Sequence, residues 1–200
     1  MGLAIRYEEG QTPLDEEEKD GLLIRSVTTR GELDEVEQRN IEEAIRWTIE
    51  RRRRFTTEEV LTEEFIRELH RRMFGGVWKW AGSFRNTNKN IGVDKYHIGI
   101  ELRALLDDGR YWLQNGTYDA DEIALRLSHR VVSIHCFANG NGRHSRLMGD
   151  LIAEKILGRS VFSWGGRSLV QTGEFRASYL KALREADRGN YAPLIAFARS

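Results

Sequence analysis

His135-Cys136-Phe137-Ala138-Asn139-Gly140-Asn141-Gly142-Arg143-His144-Ser145-Arg146 is the stretch around which the chain is organised. An apolar segment with helical spacing, residues 123–134, runs into it, and a second, residues 147–157, runs out. The polar dozen therefore reads as a helix end, a tight glycine loop and a new helix start. Gly140 and Gly142 permit backbone conformations that other residues resist, so that amide hydrogens can converge on one point. The following helix adds roughly half a positive charge and unpaired N–H groups at its first turn. Arg143 and Arg146, three residues apart, share a face of that turn. This is a cradle for anions with the imidazole of His135 at its rim, and it points to phosphate chemistry.

Composition narrows the setting. The 200 residues suffice for one domain with a small appendage. Lys plus Arg and Asp plus Glu both number 31, so no global field draws the chain to nucleic acid or to a membrane. Mean hydropathy is -0.54, and no apolar run approaches the roughly 20 residues that span a bilayer. Residues 1–20 are acidic and polar, unlike a signal peptide, and the expected location is the cytoplasm. A single cysteine excludes an internal disulfide framework and a cysteine zinc site.

The rest of the chain reads as an all-α domain of six to eight helices. Residues 1–20 form an arm that gains order by packing on the body. Leu33, Val36, Ile41, Ala44, Ile45 and Ile49 recur at helical spacing, predicting a helix capped by Thr28 or Thr29 that continues into Arg51, Arg52, Arg53 and Arg54. Thr62 caps the next helix, whose apolar face is Phe65, Ile66, Leu69 and Met73 and which Gly75 and Gly76 end. The Asn- and Gly-rich run Asn86, Thr87, Asn88, Lys89, Asn90, Ile91 and Gly92, following Trp78, Trp80 and Phe84, suits a short, exposed hairpin. Residues 101–114 are helical. Asp119 and Glu122 form a cap pattern for residues 123–134, whose apolar residues nearly encircle the cylinder and predict a buried central helix. Residues 160–164 suit a short strand or extended loop, and residues 174–186 and 191–198 two closing helices.

A glycine loop alone is a weak signal. No strand precedes it and no Gly-Lys-Ser/Thr follows, so dinucleotide and P-loop readings fail. With His, Phe, Gly, Asn, Gly, Arg and Arg at fixed offsets, however, the stretch resembles the signature His-x-Phe-x-x-Gly-Asn-Gly-Arg-x-x-Arg of Fic domains in the Fic/Doc superfamily. Trp80-Ala81-Gly82 leading to Arg85, the polar hairpin and Gly189-Asn190-Tyr191 agree, so the resemblance covers roughly residues 60–198. Within the superfamily the chain looks most like the branch called mobile mystery protein B, found near mobile genetic elements. The division implied is an N-terminal arm with an inhibitory helix over residues 1–56 and a Fic domain over residues 57–200.

The resemblance implies an enzyme that transfers AMP from ATP to a Tyr, Thr or Ser hydroxyl of a target protein. His135 would be the base. Gly140, Asn141, Gly142, Arg143 and Arg146 would bind the nucleotide, and Phe137 would anchor the loop. Residues 86–92 would be the flap on which a target strand docks. Gly142 stands where kinases of the superfamily carry Lys, which favours AMP transfer over phosphoryl transfer. Asn139 replaces the family's usual acidic metal ligand, so Mg²⁺ or Mn²⁺ is expected to arrive with the nucleotide. Cys136 replaces a usual Pro. Many relatives are restrained by a helix bearing Ser/Thr-x-x-x-Glu. Thr28 and Glu32 match that pattern, which predicts that Glu32 pairs with Arg146; Glu35 and Glu37 are nearby alternatives. Arg146 and Asp150 also share a helix face. His129 is expected to be a satisfied core residue. Two other readings stay open: removal of AMP from a modified protein, and a nucleotide-binding interaction module of a toxin–antitoxin-like pair.

Overall fold

The computed structural model describes residues 12–166 and 174–200. Among them the regular structure is helical: α1 (Glu16–Lys19), α2 (Arg30–Ile45), α3 (Thr57–Val60), α4 (Glu63–Phe74), α5 (Ile98–Asn115), α6 (Ala120–Ile134), α7 (Asn141–Leu151), α8 (Glu174–Asp187) and α9 (Ala192–Arg199). Helices α6 and α7 form the central pair. Helix α5 and the C-terminal α9 pack on α6, α8 packs on α9, and α2 lies against α4, which meets α7.

Local chemistry accounts for these ends. The hydroxyl of Thr62 accepts the Phe65 N–H at 3.1 Å and opens α4, whose buried face is Phe65, Ile66, Leu69, His70, Met73 and Phe74. Gly116, with φ 56°, closes α5. Helix α6 buries Ile123, Leu125, Leu127, Val131 and Ile134, as expected for a central helix. Asp119 precedes it without a capping bond from its side chain, while Glu122, expected to complete the cap pattern, bonds Arg126 at 2.9 Å.

Two expectations are corrected here, and an open one is resolved. Helix α2 does not run into the arginines: a π-helical turn, Arg46–Glu50, finishes it, and Arg51 is already extended, with ψ 146°. The Arg53 guanidinium instead lies 5.0 Å from the Trp47 ring centre and 4.7 Å from that of Phe55, a cation over two aromatic faces. Residues 86–92 form a loop with no strand ladder. Residues 160–164 are an extended loop held by Ser163 and Trp164 N–H bonds to the Ala198 carbonyl.

Residues 12–22 pack against the body; the rest of the expected arm, residues 1–11, lies outside the described residues. Leu22 pairs with Trp78 in an antiparallel bridge, Leu14 is buried, and the Trp80 indole N–H donates to the Glu18 carbonyl at 2.9 Å. At the other end of α7, Asp150 Oδ1 accepts both the Phe162 N–H and the Trp164 indole N–H at 3.0 Å. Burial pushes this carboxyl up to about 7, against the opposing pull of those donors and of Arg146 and Arg199.

A pH effect follows from Asp150. Between the ordinary carboxyl range near 4 and about 7, the folded chain holds a proton there that the unfolded chain has lost. Its contribution to stability therefore declines as pH rises through that window. From pH 5 to pH 8 the change in urea stability should be less favourable in the wild type than in Asp150→Asn. Equal changes would show that Asp150 ionises normally.

Candidate active site

The site is built where α6 stops and α7 starts. His135 caps α6 in the left-handed region, with φ 59°, a conformation costing a non-glycine residue roughly 1–2 kcal/mol. The surrounding loop holds it there. Arg85 Nε donates to the His135 carbonyl at 2.6 Å, Nη1 donates to Thr87 O at 2.9 Å, and Nη2 donates to Val93 O. The backbone adds Arg85 N–H to Cys136 O at 2.9 Å and Val93 N–H to Ile134 O at 3.3 Å. Arg85 is thus a buried cation set on the carbonyl end of α6, where the helix dipole favours positive charge. Its guanidinium bridges the loop through side-chain bonds. Gly92, with φ 99°, lies so close that a Cβ there would come within 2.5 Å of His135 Cβ.

The imidazole has a defined orientation. Nδ1 lies 3.3 Å from the Val132 carbonyl, which only accepts, so Nδ1 carries the hydrogen. Nε2 then presents its lone pair to Thr12 Oγ1 at 2.8 Å, and the hydroxyl donates to it. Burial, reinforced by the charges of Arg85 and Lys89, lowers the His135 pKa to about 4, although the Val132 bond opposes the shift. The ring is neutral at pH 7 with its basic nitrogen on a hydroxyl. The adjacent Cys136 thiol is pushed up to about 12 by burial and is unreactive.

Beyond His135 the loop is tied from within. Asn141 Oδ1 accepts the Phe137 N–H at 2.9 Å, and its Nδ2 donates to the Phe137 carbonyl at 2.8 Å. Phe137, fully buried, stacks on His70 at 3.7 Å between ring centres. His70 accepts the Gly82 N–H on Nδ1 and donates from Nε2 to the Asn139 carbonyl, each at 3.0 Å. Gly140 is the N-cap of α7, with φ 78°, and a Cβ there would lie 2.5 Å from the Phe74 ring. The first turn of α7, from Asn141 to Arg143, therefore presents amides that no preceding turn can engage.

Two arginines flank that turn. Arg143 Nη1 bonds Glu37 Oε2 at 2.5 Å, and the other oxygen of this buried Glu37 accepts the Trp78 indole N–H at 2.6 Å. Arg146 is buried, its guanidinium 5.2 Å from the Tyr179 ring centre, and burial lowers its pKa. A separate cavity of about 240 Å³, bounded by Leu61, Thr62, Glu63, Arg103, Leu106 and Arg110, shares no residue with this site.

The Fic/DOC family model matches residues 60–153. Over that stretch the chain is similar to Fic/DOC proteins.

Among curated proteins, the Caenorhabditis elegans protein adenylyltransferase fic-1 is 30% identical over 140 residues, covering 66% of this chain and 25% of its own length. The Drosophila grimshawi protein adenylyltransferase Fic is 28% identical over 141 residues, covering 68% and 28%. The chain spans about a quarter of the length of these curated relatives. The solved Fic-1 (aa134–508) from C. elegans matches with a TM-score of 0.65 at 25% identity, over 90% of this chain and 51% of that one. BepC from Bartonella tribocorum, with bound AMPPNP, matches at TM-score 0.63 and 16% identity, over 92% and 97%, a likeness of fold.

Within this site the expected residues find varied places. His135, Gly140, Asn141, Gly142 and Arg143 come together, but the Asn141 side chain is committed to Phe137. Glu32 is corrected: it is exposed on the first turn of α2, where it accepts the Thr28 and Thr29 N–H groups at 2.8 and 3.0 Å in a capping box. Glu37, five residues on, reaches the motif arginine Arg143. Asn139, the weak candidate metal ligand, has its side chain engaged within the chain. Its Oδ1 accepts the Gly140 N–H at 2.6 Å and its Nδ2 donates to Thr12 O at 3.1 Å. A neutral amide whose oxygen and nitrogen are both engaged in this way does not fit a protein-held Mg²⁺. His129 bonds Tyr191 Oη and Asp187 at 2.9 and 2.8 Å, a satisfied core histidine. His144, also buried, bonds the Ile66 carbonyl at 3.0 Å and ties α7 to α4.

Sequence reasoning missed Thr12, His70 and the clasp made by Arg85. A threonine in an acidic arm and a histidine on an amphipathic helix carry no local signal. Arg85 was visible only as the residue to which Trp80-Ala81-Gly82 leads in the resemblance.

The two loop glycines should respond differently to alanine. Gly140→Ala forces a left-handed backbone and a collision with Phe74, and should destabilise the chain by about 1–3 kcal/mol. Gly142 is helical and a Cβ there meets nothing within 4 Å, so Gly142→Ala should leave urea stability unchanged or slightly raised. Equal losses at both positions would contradict this geometry.

Proposed function

We propose that the chain is a protein adenylyltransferase that moves AMP from ATP to a side-chain hydroxyl of a protein. The observation that carries this reading is the neutral His135 ring, its Nδ1 turned to Val132 and its Nε2 on an aliphatic hydroxyl, beside the amino-terminal turn of α7. A base poised in this way removes the hydroxyl proton as the oxygen attacks. The oxygen bonds the α-phosphorus, the bond to the β-phosphate breaks, and pyrophosphate leaves with the electron pair. The amides of α7 would hold phosphate oxygens as charge builds, and Arg143 and Arg146 would grip the outer phosphates. The AMPPNP in BepC and the names of the curated relatives support a nucleoside triphosphate as co-substrate. On the resemblance of its branch, the setting is the bacterial cytoplasm.

Glu37 supplies the restraint. Its carboxylate occupies Arg143, so triphosphate must compete with an ion pair that is shielded from water on the Glu37 side. The earlier expectation of a restraining helix thus passes from Glu32 to Glu37, and from Arg146 to Arg143.

Incubation with ATP labelled at the α-phosphate should leave protein-bound label that survives denaturing electrophoresis and disappears in His135→Ala. Glu37→Gly should raise the rate about tenfold or more, the equivalent of removing about 1.4 kcal/mol of restraint. Absence of label from both wild type and Glu37→Gly, with Mg²⁺ or Mn²⁺ supplied, refutes the reading. ATP binding by calorimetry without turnover would favour a binding module instead.

The pH profile carries a second check. The base form of His135 persists in the folded chain until pH falls to about 4, so the acid limb of transfer should lie well below 6.5. The same group costs stability as pH falls from 6.5 toward 4, because the unfolded chain takes the proton first. An acid limb at 6.5 would mean that the reacting imidazole is exposed.

A further inference from the structure

The hydroxyl on His135 belongs to the chain itself. Thr12 is buried, with a relative exposure of 6%, and its Oγ1 holds the position on Nε2 that an acceptor must take. The arm is fastened on both sides of that point. Asn139 Nδ2 holds the Thr12 carbonyl at 3.1 Å, and Lys89 Nζ reaches the Pro13 carbonyl at 3.3 Å. Asp15 accepts from Thr87 Oγ1 at 2.8 Å and from Lys89 at 2.9 Å, while Glu18 pairs with Lys89 at 2.6 Å. The Lys89 side chain is only 3% exposed. The residues that hold the arm, Thr87 and Lys89, lie in the loop expected to seat a target, and Asn139 lies in the motif. An acidic segment is therefore docked across the loop with a threonine hydroxyl delivered to the base. Gly142, on the first turn of α7, faces open space.

We propose that Thr12 is an adenylylation site modified in cis, and that the N-terminal arm is a tethered substrate strand. The proposal rests on the adenylyltransferase reading above. The Thr12 Oγ1 proton passes to His135 Nε2, and the oxygen forms a bond to the α-phosphorus of ATP. The bond from that phosphorus to the bridging β-phosphate oxygen breaks, its electron pair leaves with pyrophosphate, and His135 returns its proton to solvent. Tethering removes the need for an encounter, so a hydroxyl already in contact with the base is favoured over one delivered from solution. The product bears a bulky anion where Thr12 was buried against Asn139, so the modified arm no longer fits its seat and the loop becomes free for another protein.

The test uses the full chain, as wild type and as Glu37→Gln, incubated with ATP and a divalent cation and mapped by peptide mass spectrometry. AMP is expected on Thr12, lost in Thr12→Val and retained in Thr12→Ser. The fraction labelled per unit time should not change with protein concentration. A Thr12→Val chain mixed with His135→Ala should leave Thr12 of the latter unlabelled. AMP on other residues with Thr12 unmodified overturns this proposal and leaves AMP transfer standing. AMP on no residue in either form overturns both.

Discussion

The carbonyl groups at the end of α6 have no later helical turn to satisfy them, and Arg85 is the cation that meets them. Its guanidinium joins the His135 carbonyl to those of Thr87 and Val93. A buried guanidinium is tolerated only when its donors are engaged, and here the same bonds hold His135 in a left-handed conformation and shape the loop above it. That loop then presents Thr87 and Lys89 to the N-terminal arm. The position of the base, the form of the loop and the seat of the arm follow from one ion.

Electrostatics inside the site are set by burial. His135 is held neutral with its lone pair outward, and His70 and His144, also buried, have lowered pKa values. Positive charge is left to the arginines, where an anionic substrate needs it. Glu37 already neutralises Arg143, so the resting site contains an internal anion and an internal hydroxyl. On the proposed reading, both stand where an incoming triphosphate and an incoming target would go.

Much of this was legible from the motif. Phe137, Gly140 and Asn141 are local devices, an anchor, a left-handed cap and a side chain that closes the loop on itself, and their offsets carry that information. Gly142 misled slightly: it is helical, and its value lies in open space rather than in backbone freedom. The Thr-x-x-x-Glu pattern at Thr28 and Glu32 misled more, because Thr29 and Glu32 also spell a capping box, and the local bonds won. Glu37 could be chosen only by knowing how α2 lies on α4. The loop over residues 86–92 had the composition of a hairpin, but its cross-links come from Arg85, outside the run. Thr12 had no signal at all, since its partners lie more than a hundred residues away.

The central claim is that His135 is a buried, neutral base with its proton on Nδ1 and a hydroxyl on Nε2. Nitrogen-15 NMR of the imidazole in the full chain measures this directly. The account predicts an Nδ1–H tautomer at pH 6 and titration near 4. An imidazole that titrates at 6.5, or one that carries its proton on Nε2, would contradict it.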